Sequence, residues 1–430
     1  MPKLYYYLIL NVGILRKMGK EEIKKKLEEF FKQRMASTKS LDELCKENGI
    51  RKYKKKHSTV WGKRTLENRD THWDNLNLDE YSFDKPVIVC LSGNGTKSTK
   101  GANGMCKIAE NMLDLMFKMK DSEIKAEDKV DIISCSYDVD LKYLFYPIDD
   151  EVKEKYPDLK EYAKEFPEAL WDASQRGYLS DATSKQFAKN ILFSRCINED
   201  GEKLPIDECQ KNISQVTFFT YCYGTKALNQ IMDYFTGMLL QKGFNEKEID
   251  KITSSMSHVS FARLVYTGRV PTTYFYAVND RNLNTIKPLL KGMEGSGSQL
   301  ETRLSRNGGL TFGQDLLGCV FYEKNNTESL EFAYMGIEKD KDEVVVGQDR
   351  EHYLINMDRN EDWDIINKKK GIYNAISQMM SWALCRAVEN GLDNANSDKY
   401  IPKISMEQLQ DELLNIYQSF SKDELMTKQQ

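Results

Sequence analysis

Short apolar runs alternate with amphipathic segments from Lys85 onward, and this alternation is the strongest pattern in the chain. Six runs read as strands: Pro86 to Leu91 (PVIVCL), Val130 to Cys135 (VDIISC), Val216 to Tyr221 (VTFFTY), Val259 to Val265 (VSFARLV), Thr272 to Val278 (TTYFYAV) and Glu343 to Val346 (EVVV). Several are continuously apolar, as strands covered on both faces are, so a largely parallel sheet is predicted. Between them, apolar residues recur at three- and four-residue spacing over 105–119, 183–194, 225–242, 372–389 and 406–419, which predicts helices packed on that sheet. The expected fold class is α/β, a mostly parallel sheet with helices on both faces.

Two stretches are too long for simple connections, which usually run two to six residues. Residues 139–213 read as a helical, acidic and aromatic cap insertion (Tyr143, Phe145, Tyr146, Trp171). Residues 281–340 read as a second insertion, a Gly/Ser-rich loop (GMEGSGSQ, RNGG) leading into a hairpin, Cys319 to Tyr322 and Leu330 to Tyr334, around NNTES. Ahead of the sheet, residues 17–35 carry Ile23, Leu27, Phe30, Phe31 and Met35 at helical spacing, and a short helix from Leu41 to Asn48 stops at Gly49. The domain reading is a helical arm over 1–79, an α/β body over 80–420 and a polar tail over 421–430.

Charge sharpens that division. The chain of 430 residues carries a net charge of -4, yet residues 1–70 hold 19 Lys and Arg against 9 Asp and Glu. The arm is therefore +10, and the remaining 360 residues carry -14. The basic run at 51–64, interleaved with Tyr53, His57 and Trp61, has no recognition-helix or RNA-motif pattern beside it, so it reads as a solvated linker face. An anionic partner of this arm is the contrasting expectation: an acidic protein, a nucleic acid or an anionic membrane. Apolar residues make up 40% of the chain, enough for a sizeable core, but no run reaches the roughly 20 apolar residues of a bilayer span. The longest, Leu4 to Leu15, lacks a small-residue cleavage site and reads as a buried helix or strand rather than a signal peptide. Nine scattered cysteines without zinc spacing point to a reducing, cytoplasm-like compartment, and no metal or organic cofactor is implied.

The densest chemistry lies at Val216 to Leu228, VTFFTYCYGTKAL, where a buried strand runs straight into a helix through Thr220-Tyr221-Cys222-Tyr223-Gly224-Thr225. Small residues two before and two after Cys222 are what a sharp strand-to-helix turn demands, and the helix N-terminus favours a thiolate. This window resembles the G-x-S-x-G nucleophile elbow of the α/β-hydrolase superfamily, with cysteine for serine and Thr220 for the first glycine. The resemblance implies a chain order of nucleophile, acid and histidine. Asp280, after the strand ending at Val278, stands in the acid's place, and His352, after Glu343 to Val346, stands in the histidine's. It further implies an oxyanion hole from the backbone N–H groups of Gly93 or Asn94 and of Tyr223, although the usual His-Gly of that loop is absent from Ser92-Gly93-Asn94-Gly95. The expected activity is cleavage of an ester, thioester or amide in a small-molecule or acyl substrate through a Cys222-His352-Asp280 triad.

Two rivals share these residues. Ser92-Gly93-Asn94-Gly95 and Phe219 to Thr225 are similar to the paired strand ends of caspase-like cysteine peptidases, but Asn94 occupies the place of their catalytic histidine. SGNGTKSTKG is Gly-rich but misses the P-loop spacing, because Thr96 precedes Lys97. The contrasting class is non-enzymatic: a hydrolase-like scaffold with an inert Cys222 that binds through its arm and cap.

Overall fold

A computed structural model describes residues 19–36, 41–53, 60–67, 70–81, 85–93, 99–119, 126–136, 142–147, 150–157, 159–166, 170–172, 181–222, 224–262, 267–277, 317–324, 327–334 and 372–426. The chain divides into two compact units: Met1–His57 with Asp140–Arg176, and Ser58–Val139 with Gly177–Gln430.

In the smaller unit the helix Lys20–Ala36 buries Ile23, Leu27 and Phe30 along one stripe, as its spacing predicts. The helix Leu41–Glu47 ends in a turn whose Gly49 has φ +57, a conformation that costs a glycine little. The strand Ile50–Tyr53 then pairs antiparallel with Lys142–Pro147, which pairs in turn with Leu170–Asp172. Tyr156, Tyr162 and Phe166 of the same unit form a buried aromatic cluster, with ring centroids 4.9 to 5.7 Å apart. The stretch from 139 was expected to be helical; its first part instead supplies two of these three strands.

The larger unit is α/β. Its strands are β1 (Val60–Glu67), β2 (Asp70–Asn75), β3 (Val87–Leu91), β4 (Asp131–Ser136), β5 (Val216–Tyr221), β6 (Ser257–Phe261), β7 (Thr272–Ala277), β8 (Leu317–Lys324) and β9 (Thr327–Tyr334). They form one nine-stranded sheet in the order β8-β9-β7-β6-β5-β3-β4-β1-β2. The six strands from β4 to β9 in that order are parallel, and an antiparallel strand or hairpin closes each edge. β3, β5 and β7 are buried at every position, as strands covered on both faces must be.

Helices cover both faces. Phe218 and Thr220 of β5 point to the side of α4 (Gly224–Gln241), where Phe218 meets Phe187 of α2 (Asp181–Phe187) at 6.3 Å. α1 (Thr99–Met119) and the 24-residue α6 (Ile372–Ala395) pack against each other, and α6 also packs on β5, β6 and β7. α2 continues through a π-turn, Ala188–Leu192, and a 3-10 turn, Phe193–Cys196, before α3 (Ile206–Ile213) leads into β5. Side-chain and backbone bonds between Asn245 and Glu248 cap α5 (Glu246–Ser255), and a similar box from Ser405 and Gln408 caps α7 (Met406–Gln418).

Three expectations need correction. The basic run at 51–64 is not a solvated linker: Ile50–Tyr53 is a strand of the smaller unit, and β1, followed by β2, extends the large sheet, so this sheet starts at residue 60 rather than 80. The physical reason is that its apolar and charged members are separately satisfied. Trp61 is buried and stacks on Phe187 at 4.6 Å, while the Lys63 ammonium pairs with the buried Asp131 carboxylate, which also accepts from the Tyr81 hydroxyl. The strand expected over Val259 to Val265 spans Ser257–Phe261 and stops because Ala262 turns into the left-handed region, with φ 48. The helix expected over 183–194 becomes α2, a wider π-turn and a tighter 3-10 turn. Glu343 to Val346, Leu4 to Leu15 and the loop at 291–313 lie outside the described residues. Among the described residues no helix is long and apolar enough to cross a membrane.

Candidate functional site

The order of the parallel strands singles out one place. From β3 the chain moves to β4 on one side, then crosses to β5 on the other side of β3 and continues through β6 and β7. The progression reverses between β3 and β5, and the carboxyl ends of two strands at such a switch point flank the crevice in which open α/β sheets bind ligands. Ser92 and Gly93 follow β3 there, and Cys222 follows β5.

The register aligns them. Leu91 stands opposite Thr220, so continuing that register by two residues brings Gly93 level with Cys222. Gly93 lies against Cys222: a Cβ added at Gly93 would sit 2.5 Å from the Cys222 Cβ and 3.2 Å from its sulfur. Only a residue without a side chain permits that approach. Cys222 itself has φ 54, one of two non-glycine residues with positive φ among those described. Such a conformation costs a side-chain-bearing residue about 1 kcal/mol and clusters at functional turns. The Cys222 amide donates to the Phe261 carbonyl of β6 at 3.1 Å, which ties the turn to the sheet. Helix α4 starts two residues later at Gly224, where a Cβ would lie 1.9 Å from the Leu91 carbonyl oxygen. The second small residue of the turn is therefore required by the close passage of the helix over β3.

Thr220, at the first small position, is accommodated for a different reason. Its hydroxyl meets His258 Nε2 at 2.7 Å and Thr225 Oγ1 at 3.1 Å, and donates to Ser260 Oγ at 2.9 Å. His258 Nδ1 reaches Thr272 Oγ1 at 2.9 Å, and Thr272 continues to Thr267 at 2.8 Å. This buried polar cluster spans β5, α4, β6 and β7 beneath the turn. Burial pushes the His258 pKa down to about 3, so its ring stays neutral and acts as a hydrogen-bonded strut. A neutral ring offers one donor and one acceptor, and a threonine hydroxyl lies within hydrogen-bond distance of each of its two nitrogens.

No protein-family model matches this chain, and no curated protein matches it.

Of the residues singled out in sequence, the structure brings Cys222 and Gly93 together. Asn94, Tyr223, Asp280 and His352 lie outside the described residues. The cluster around His258 is not among the residues that the sequence motifs single out. Its signal in the sequence is that Thr220, His258, Ser260 and Thr272 place polar side chains on three neighbouring buried strands. The Cys222 thiol is 1% exposed, covered on the β3 side by Gly93. Tyr221, before it, stacks on Phe261 at 4.8 Å and touches the same glycine, where an added Cβ would meet its ring at 3.2 Å.

Proposed function

We propose that Cys222 is the nucleophile of an α/β-hydrolase-like enzyme that transfers the acyl group of an ester, thioester or amide. The observation that carries this reading is the left-handed backbone of Cys222 at the sheet's switch point, with Gly93 fitted against its sulfur. A strained residue on a sharp strand-to-helix turn is how such enzymes present a nucleophile at the top of the sheet. In this mechanism the Cys222 thiolate attacks the substrate carbonyl. His352 takes the thiol proton and returns it to the leaving group, and Asp280 orients His352. The backbone N–H groups of Gly93 or Asn94 and of Tyr223 receive the developing oxyanion. Water or a second nucleophile then resolves the acyl-cysteine. The low basicity of a thiolate suits activated acyl groups, so thioesters and aryl esters are the preferred class.

The near-complete burial of the thiol favours a second reading, a hydrolase-like scaffold that binds an anionic partner through its basic N-terminal region and performs no chemistry. The two separate on one experiment. Wild type and Cys222→Ala are compared on short and long p-nitrophenyl esters and on acyl thioesters, with an electrophilic thiol probe mapped by mass spectrometry. The enzyme reading expects probe at Cys222 and a loss of about a thousandfold or more in kcat/KM on substitution. Equal turnover by both proteins would sink it.

A further inference from the structure

We propose that Thr225 is a positioning residue of the turn at Cys222: its hydroxyl closes a ring with those of Thr220 and Ser260, and this ring holds Cys222 in its left-handed conformation. The catalytic consequence rests on the acyl-transfer reading, whereas the ring rests on geometry alone. Thr220 stands near the end of β5, Thr225 in the first turn of α4, and Ser260 in β6, directly opposite Thr220 in the register. Their hydroxyl oxygens form a triangle with edges of 2.9 Å from Thr220 to Ser260, 3.1 Å from Thr220 to Thr225 and 3.2 Å from Thr225 to Ser260. All of these residues are fully buried. The edge from Thr220 to Thr225 joins the two ends of the turn. The other edges fasten both ends to β6, the strand whose Phe261 carbonyl accepts the Cys222 amide.

With Thr220 donating to Ser260, the ring closes when Ser260 donates to Thr225 and Thr225 to Thr220. Each hydroxyl then gives one bond and receives one, and Thr220 keeps a lone pair for His258 Nε2 at 2.7 Å. Packing alone does not ask for these hydroxyls. Valine has nearly the shape of threonine and fills a buried position without a partner, whereas every buried hydroxyl must find one. What the hydroxyls add is direction. A side-chain-bearing residue keeps a positive φ only where its surroundings over-determine it. Beyond the amide bond from Cys222 to Phe261, the ring fixes where α4 leaves β5, and so where the sulfur stands against the first turn of that helix, whose amides favour a thiolate. If the turn relaxes, the sulfur drifts from that alignment, and a displacement of about 1 Å is enough to cost a reaction about a hundredfold.

The test compares the full chain with Thr225→Val, which keeps the shape and removes one corner, with Ser260→Ala, which removes another corner from a different element, and with Thr225→Ser, which keeps the hydroxyl. Thr225→Val and Ser260→Ala should each speed hydrogen exchange of the Cys222 amide about tenfold or more, with exchange in β3 and β7 unchanged, and Thr225→Ser should bring it back to within about twofold of wild type. On an acyl thioester the same two variants should lose about tenfold in kcat at unchanged KM, again restored by Thr225→Ser. Exchange of the Cys222 amide at the wild-type rate in both Thr225→Val and Ser260→Ala would overturn the proposal. Faster exchange with kcat unchanged, in a wild type that turns the thioester over, would overturn the positioning role. A wild type that cleaves no ester or thioester defeats the acyl-transfer reading instead, and the exchange rates then still decide whether the ring holds the turn.

Discussion

Lowering the pH from 7 to 5 should destabilise wild type more than a His258→Gln variant, by an amount the buried cluster sets. In the unfolded chain His258 titrates near 6.5, whereas burial holds the folded ring down to about 3. A base with a depressed folded pKa supports the fold fully above its unfolded pKa and loses that support as pH falls towards the folded value. The window is therefore pH 6.5 to 3, with a slope of about 1.4 kcal/mol per pH unit inside it. Integrated from pH 7 to pH 5, the single ring contributes about 2 kcal/mol of lost stability. The figure is insensitive to the folded value, because any folded pKa below about 4 leaves the ring neutral at pH 5. Glutamine keeps a donor and an acceptor for Thr220 and Thr272 but takes up no proton, so it serves as the baseline. Urea titrations of both proteins across this range, followed by tryptophan fluorescence, give two curves whose difference should widen by about 2 kcal/mol. Parallel curves would refute the reasoning. So would an imidazole resonance of His258 that titrates in the folded protein between pH 5 and 7.

Three further outcomes follow from particular contacts. Gly224→Ala forces a methyl against the Leu91 carbonyl and should cost about 3 kcal/mol or more, read as a lower urea midpoint at unchanged slope; a cost under about 1 kcal/mol would mean that α4 does not ride that close to β3. Lys403 reaches the Met256 carbonyl at 2.7 Å, and burial of its amine pushes its pKa down to about 7. A depressed lysine loses support as pH falls from about 10.5 to 7, so Lys403→Met should gain stability relative to wild type on going from pH 10 to pH 7, and a pH-independent difference would count against it. Asp131→Asn removes the carboxylate that joins Lys63 of β1 and Tyr81 to β4, and should cost about 2 to 3 kcal/mol, with amide exchange rising first in β1 and β2; a uniform rise across the sheet would contradict this local role.

What could be read in the sequence tracks how local the determining physics is. The apolar run of β3 declares itself because burial on both faces leaves no polar position, and β5 interrupts its run only with two threonines. The turn at Cys222 was legible because Gly224 must be small where a helix passes a strand within van der Waals contact. β1 was misread because its local signal is a run of charge. The partners that neutralise it lie far along the chain, Asp131 in β4 for Lys63 and Phe187 in α2 for Trp61, and no window of neighbouring residues contains them. His258 was passed over for the same reason. Its two hydroxyl partners come from strands on either side, and only the pairing of Phe218 with His258 and of His258 with Thr272 brings Thr220 and Thr272 to its ring. The candidate site depends on distant pairings in the same way. A small residue on each side of a cysteine marks a tight turn anywhere in a chain, and such a turn alone says little about chemistry. It becomes a candidate site when β3 and β5 prove to be neighbours at the point where strand order reverses, because that pairing places Gly93 against the sulfur of a residue held in a strained backbone conformation. Strand order depends on pairings between segments more than a hundred residues apart, so the motif is local while the reason to believe it is not.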